Sequence, residues 1–511
     1  MSAVAPEPGA APSDEAVLES FGYRQELRRS LSFWTNFAVG FAYISPVVGL
    51  YAIIALATFA AGPAWVLALP IVLAGQLLVA CVFAELASQF PIAGGIYQWS
   101  RRLVGPTYAW FAGWLYVWTI MLTVTAIAYF GAVWFAALFG VTPSPNQQVL
   151  WAFGILVIAT LVNSIGLNPL KYVVNLGIIA ECVASVLIGV LLLLFFRHHP
   201  ISYLWEGLGS AASFGGSSLG GFLAAIAIGG WAFVGFDSCG SVSEETHDPM
   251  RKVPRAILFS LSSVAGVIIL NAVAIDLSFR DTQAVIDGKV LDPVTPTVID
   301  AFGGWVEKPF EAVVLVAFLA CAIAVQAAAT RVLFSLSRDR MLPGSGVLRR
   351  VAPNRVPMGA LAVAAVVSAA GLLFGLDARA VNTLITFGSG GYYIVFWLVC
   401  SAALYARLTG RWTPAGRFSL GRFALVVNVV AVAWLTFEAI NIAWPRTVLA
   451  PPGARFYQVW AVLLIFSALT IVGVVYVLVR RPQERARSSA AMGDLAAVGA
   501  EAGLEAAGPR A

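Results

Sequence analysis

The chain has 511 residues, 60% of them hydrophobic and only 11% charged, where soluble domains carry about 45–50% apolar and about 25% charged residues. That mixture cannot cover a water-exposed globule, which excludes a soluble enzyme or binding domain. The formal net charge of +5 is spread over short loops and the C-terminal tail, a pattern that reports membrane orientation and argues against a nucleic-acid partner.

Residues 1–30 open on Pro, Ala, Ser and acidic residues with no basic stretch feeding a short apolar core, so no cleaved leader is expected. They read as a disordered tail. Apolar stretches then recur at 34–58, 64–88, 107–138, 148–167, 172–196, 219–241, 256–277, 311–335, 359–376, 381–405, 424–443 and 457–479. Each is long enough to cross about 30 Å of hydrocarbon as a helix. The expectation is an all-α integral membrane protein of twelve spans. Residues 481–511 lack aromatics and bulky apolar content, and read as a second disordered tail.

With the amino terminus inside, Arg24, Arg28, Arg29, Arg101, Arg102, Lys171, Arg251, Lys252 and Arg255 fall in inner loops. Roughly 23 basic residues then lie on the inner side and roughly 7 outside, as the positive-inside rule requires. Both termini are therefore expected in the cytoplasm. Arginine outnumbers lysine 27 to 4, which favours a bacterial inner membrane.

The first span contains Gly40-Phe-Ala-Tyr-Ile-Ser-Pro-Val-Val-Gly49, with Pro46 and Gly49 in mid-membrane. Proline removes a backbone donor and clashes with the preceding turn, so carbonyls near Ala42 and Tyr43 lose their helical partners. The sixth span carries a second break, Ile228-Gly-Gly-Trp-Ala-Phe-Val-Gly-Phe-Asp-Ser-Cys-Gly240. Two breaks five spans apart predict inverted repeats with a site at the bilayer midplane. Exposed donors at a half-helix N-terminus favour a carboxylate, and exposed carbonyls favour an ammonium or cation. Glycine and proline also occur in membrane helices for packing alone.

Two acids stand inside the spans near these breaks. Asp237 lies in the sixth-span break, and Glu181 lies well inside the fifth span. A carboxylate at that depth is costly unless paired, solvated or protonated, and marks a functional position by default. Asp237 is expected to pair with a substrate ammonium or carry a proton. Glu181 is open between a proton relay, a cation site and a structural hydrogen bond. Glu85, at the inner end of the second span, reads as a gate or loop residue paired with Arg101 or Arg102. Asp276, Glu311 and Glu438 lie nearer span ends, where snorkelling or capping explains them. Gln326, Thr330 and Tyr393 either line the cavity or bond helix to helix.

Three motifs carry a resemblance that covers nearly the whole chain. They are Phe83-Ala-Glu-Leu-Ala-Ser-Gln-Phe-Pro-Ile-Ala-Gly-Gly-Ile-Tyr97; Phe233-Val-Gly-Phe-Asp-Ser-Cys-Gly-Ser-Val-Ser-Glu-Glu-Thr-His-Asp-Pro249 with Val253-Pro-Arg255; and Ser337-Arg-Asp339 with Leu342-Pro343. The sequence resembles the amino acid–polyamine–organocation permease superfamily, and within it the amino acid/choline branch. The resemblance implies helices 1–5 (residues 31–200) and 6–10 (201–410) as inverted repeats of the leucine-transporter type, with two further helices in 411–480. It also implies alternating-access transport of an amino acid or amine such as γ-aminobutyrate, with choline or a polyamine as the alternative cargo.

By the same resemblance Ser45, Pro46, Val47 and Gly49 match the unwound segment that cradles substrate, although Pro46 stands where relatives often have glycine. Trp231 matches the aromatic lid, which also suits a cation–π contact, and Gly235 allows close backbone approach. Proton-coupled relatives carry a lysine on the fifth helix, where sodium-coupled members of the wider fold bind an ion. Here Glu181 is the nearest ionisable group, which leaves proton coupling or exchange without ions, and a proton is expected before sodium.

Cys81, Cys182, Cys239, Cys321 and Cys400 form no CxxC pair, so neither metal nor cofactor is expected. His198, His199 and His247 fall in loops, with no catalytic motif around them. That speaks against a membrane-embedded enzyme. A channel or sensor on the same scaffold is the other competing class.

Overall fold

In a computed structural model, residues 13–290, 292–376, 378–449 and 454–485 are described. Among them the chain is helical without strands, and a single parallel bridge joins Leu31 to Thr246. Twelve helices are long and apolar enough to cross a membrane. The expected disordered ends at 1–12 and 486–511 lie outside the described residues, as does the side chain of Lys171.

The first span is built in pieces: Phe33–Ile44, then Pro46–Tyr51, then Ile54–Ala61. Ser32 starts it with a capping box to Thr35, satisfying donors a helix start leaves free. Gly62 ends it at φ +60°, where a Cβ would sit 2.5 Å from the Gly207 carbonyl oxygen. Only glycine fits so close an approach in that conformation. We therefore begin the second span at Gly62, with a 3-10 turn leading into Ala68–Gln89.

The fifth span runs Leu167–Glu181, widens into a π turn at Cys182–Leu187, and resumes as Ile188–Phe195. The sixth runs Ser218–Gly229 with a 3-10 turn to Phe233, and restarts as the short helix Ser238–Ser241. Both predicted breaks are thus present.

Two packed sets result. Spans one, two, six and seven contact one another, and spans three, four, eight and nine form a second set; the fifth and tenth touch members of both. Large apolar side chains that remain exposed line the outer faces of the rim spans, such as Leu150, Phe153, Val157 and Leu161 on the fourth and Ile471, Val475 and Leu478 on the twelfth. Hydrocarbon, not water, suits such a surface.

The segment read as a disordered tail to residue 30 is ordered from residue 13. It forms the helix Asp14–Ser20 and then a strap whose Leu18, Tyr23, Leu27 and Leu31 are buried. Four apolar anchors spread over fourteen residues offset the ordering cost that its composition implied. At the other end, Pro482–Arg485 continues as a short helix.

Candidate functional site

At the first-span break Ser45 takes φ 51°, and Pro46 opens the following half-helix. The Ser45 hydroxyl oxygen accepts from Val48 N at 3.1 Å and the hydroxyl donates to Glu181 Oε1. Glu181 Oε2 accepts from Val47 N at 2.8 Å. The fifth-span carboxylate, 2% exposed, thus sits on the N-terminus of the half-helix, where unpaired N–H groups and the helix dipole favour negative charge. A π turn begins immediately after Glu181, a widening that recurs at functional positions. The Tyr43 carbonyl, expected to lose its helical partner, accepts from Cys321 Sγ at 3.4 Å.

Gly49 faces the backbone of Ala232, where a Cβ would make ordinary contact at 3.5 Å. It packs the two breaks together.

Gly235 has φ +100°, and a Cβ there would lie 2.2 Å from the Tyr43 ring. The space expected to admit a ligand is filled by that aromatic ring. Asp237 Oδ2 accepts from the Tyr116 hydroxyl, while Oδ1 is buried without a hydrogen-bond partner among the described residues. The Tyr43 and Tyr392 hydroxyls are 2.5 Å apart, and the Tyr116 and Tyr392 rings meet edge to face at 6.2 Å. One carboxylate therefore stands among three tyrosines from the first, third and tenth spans. Trp231 is buried beside the tenth span, where a Cβ on Gly388 would touch its ring at 2.8 Å.

Ser45, Val47 and Glu181 thus form one cluster, and Gly235 and Asp237 a second, with Tyr43 common to both. The sequence did not point to the side chains of Tyr43, Tyr116, Tyr392 and Cys321 as members of these clusters. Their only signal was a hydroxyl or thiol inside an apolar span, which interfacial aromatics share.

A third constellation closes the face that bears both ends of the described chain. Asp339, with no exposure, accepts from the Tyr23 and Tyr97 hydroxyls at 2.9 Å each and pairs with Arg101 at 2.5 Å. Arg338 pairs with Glu244 at 2.7 Å, and Arg331 with Glu245 at 2.8 Å. The strap lies across them: Ser30 and Leu31 N–H donate to the Glu245 carbonyl at 2.9 and 2.7 Å, and Gln25 Nε2 donates to the Glu244 carbonyl at 3.0 Å. Burial, and then the Asp339 carboxylate, push the Tyr23 phenol above its ordinary range, so it stays a donor at neutral pH.

Glu85 is not part of this seal. It pairs with Arg407 and accepts from Leu420 N at 3.0 Å, whereas Arg101 turns to Asp339 and Arg102 donates to Gln98 Oε1 at 2.6 Å. The expected pairing with Arg101 or Arg102 is absent because the helix Gly95–Leu103 carries both arginines toward the strap. Gln326 bonds Asn163 at 3.0 Å and Thr160 at 2.8 Å, so it joins helices. Glu311 pairs with Lys308 at 3.1 Å, and Asp276 accepts from the Trp65 indole at 3.2 Å.

Twelve apolar helices, two of them broken at facing positions around buried carboxylates, define a multi-pass membrane transporter of the inverted-repeat type. The sequence profile of the amino acid permease family matches residues 31–469, and the chain belongs to that family. It is similar to the amino-acid permease BAT1 of Arabidopsis thaliana, 24% identical over 91% of this chain and 93% of that protein. The branched-chain amino acid permease BcaP of Bacillus subtilis is 25% identical over 78% of this chain and 84% of its own length. A putative polyamine transporter of Candida albicans is 26% identical over 92% and 88%.

Proposed function

We propose that this permease carries a small zwitterion or amine, such as γ-aminobutyrate, across the inner membrane by alternating access, with Glu181 as the proton-coupling group. The observation that carries the reading is the Glu181 carboxylate seated on the N-terminus of the broken first span through Val47 N at 2.8 Å. A substrate carboxylate would seek the same donors, so the two anions compete for one place. Protonation of Glu181 removes its claim and frees the half-helix for the substrate. Once substrate has left, loss of the proton lets Glu181 return. One proton would then accompany each substrate.

The free oxygen of Asp237 among Tyr43, Tyr116 and Tyr392 supplies the complementary place for an ammonium, which the carboxylate attracts and the aromatic faces favour. Trp231 and Gly235 then shape that end, and Ser45, Pro46 and Val47 the other. Movement of spans one, two, six and seven against the remaining helices opens the site to each side in turn. Residues 31–200 and 201–410 are read as the two repeats, 411–480 as the extra pair, and both termini as cytoplasmic. Choline or a polyamine is the second reading, favoured by the Asp237 cage, which needs no substrate carboxylate.

The test is uptake into proteoliposomes of labelled neutral and acidic amino acids, γ-aminobutyrate, choline and putrescine under imposed proton or sodium gradients. Accumulation driven by a proton gradient is expected. No accumulation or counterflow of any amine-bearing solute would overturn the reading. Asp237→Asn is expected to raise KM for the transported amine by tenfold or more, since a charge-assisted hydrogen bond contributes about 1.5–3 kcal/mol. An unchanged KM would remove Asp237 from substrate binding.

A further inference from the structure

Behind the sixth-span break lies a second set of buried polar groups that neither the substrate site nor the seal uses. Gln76 on the second span, Tyr393 on the tenth and Glu438 on the eleventh have no solvent exposure. Among the described residues, both amide atoms of Gln76, the Tyr393 hydroxyl and Glu438 Oε2 lack hydrogen-bond partners. Each such atom costs about 1–3 kcal/mol when left unsatisfied. Four of them on three packed helices are a burden that a shared ligand would relieve.

Gln76 and Tyr393 adjoin, and Glu438 sits on a helix that packs against both of theirs. The Tyr393 hydroxyl lies beside the Gln76 amide and in the field of Glu438. A Cβ on Gly230, the residue before Trp231, would come within 3.1 Å of that hydroxyl, so Tyr393 rests on the sixth-span break itself. Next to Gln76, a Cβ on Gly75 would lie 2.1 Å from the Trp434 ring. The Trp434 indole N–H, one turn before Glu438, likewise has no acceptor.

Charges around Glu438 are few. Its Oε1 accepts from Asn441 Nδ2 at 3.0 Å. Arg446 is the nearby cation; its guanidinium donates to the Asn441 carbonyl at 2.6 Å and side-chain oxygen at 2.5 Å, keeps its charge, and makes no direct ion pair with Glu438 among the described residues. The second span presents Gln76, the tenth Tyr393, and the sixth only the Leu223 carbonyl, bound to Asn441 at 2.9 Å. The group thus has one anionic member, and Arg446 reaches it only through the intervening Asn441 side chain. Its unpartnered oxygens number three, too few for a hard metal ion, which takes about six. A proton needs only one.

We propose that Gln76, Tyr393 and Glu438 form a second proton-binding site, in which the Glu438 carboxylate takes one proton from water and returns it to water, and Gln76 and Tyr393 hold the acid. Spans two and six belong to one packed set, and the tenth and eleventh pack against it from outside. Rocking of that set changes the contacts of Glu438, so its proton is held in one arrangement and released in the other.

The experiment is infrared difference spectroscopy of the purified full chain in lipid nanodiscs, titrated from about pH 5 to about pH 9, a range centred on neutrality where a proton carrier must load and unload. The parent is expected to show a protonated-carboxyl C=O band that titrates and is missing in E438Q. Tyr393→Phe keeps the ring and removes the hydroxyl; it should shift that band and move its midpoint by about one pH unit, a tenfold change in proton affinity. If E438Q fails to fold, the Tyr393→Phe shift is read alone against the parent. The proposal is overturned if subtraction of E438Q reveals no such band, if the band persists unchanged across the titration, if Tyr393→Phe leaves it unmoved, or if added sodium abolishes it at fixed pH. The readout needs no transported substrate and separates this site from Glu181, whose own band survives in E438Q.

Discussion

Glu181→Gln is expected to abolish proton-driven accumulation, bringing the internal substrate down to the external concentration, while exchange across the membrane continues. Glutamine keeps a carbonyl oxygen that accepts from Val47 N–H, so the half-helix start retains a partner and the fold at Ser45 is preserved. What it loses is the alternation between anion and neutral acid. Without a charge to yield, the site can pass substrate down its gradient but cannot tie each passage to a proton. The dependence of uptake on external pH should flatten in the same variant. The measurement is labelled-substrate uptake in proteoliposomes with a proton gradient, set beside counterflow without one. Gradient-driven uptake equal to that of the parent would remove Glu181 from coupling and leave it a structural cap.

The second large effect is expected at the seal. Asp339→Asn removes the carboxylate that pairs with Arg101 and weakens acceptance from Tyr23 and Tyr97. Removing one partner of a buried pair costs about 3–5 kcal/mol, and the lower end applies because Arg101 keeps 13% side-chain exposure. About 3 kcal/mol shifts the balance between sealed and open forms by roughly 100-fold. Cys239, on the half-helix Ser238–Ser241 and fully buried, is the reporter. Its alkylation by a membrane-impermeant maleimide, read by peptide mass spectrometry, should accelerate by about that factor. Labelling at the parent rate would mean that the seal is held by the Arg331–Glu245 and Arg338–Glu244 pairs and by the strap.

Much of the architecture was legible because it is written locally. Pro46 and the glycines around Asp237 declare their breaks within a turn or two, and apolar runs of span length declare the rest. Glu181 stood out as an acid where nothing cheap explains one. Its partner did not, since Val47 is 134 residues away and the half-helix start becomes a donor only after the break forms. The same reason hid the seal: Glu244, Glu245, Arg338 and Asp339 were visible as motif residues, but their pairing needs the sixth-span loop laid on the eighth. Glu85 was matched to the nearest arginines in sequence, whereas Arg407 is 322 residues away. Glu438 was read as a snorkelling end group because helix position alone does not reveal that three neighbouring helices cover it. The strap was misjudged by composition, which averages away four well-spaced anchors.

Tyr43 gives its ring and hydroxyl to the neighbourhood of Asp237, while its carbonyl sits two residues from the Ser45 turn that Glu181 holds. A single residue is therefore shared by the two carboxylate clusters, and a change at either one reaches the other through it. Losses measured at Asp237 and at Glu181 will not simply sum. The energy by which the double replacement departs from additivity is a direct measure of how far the Asp237 and Glu181 clusters act as one unit.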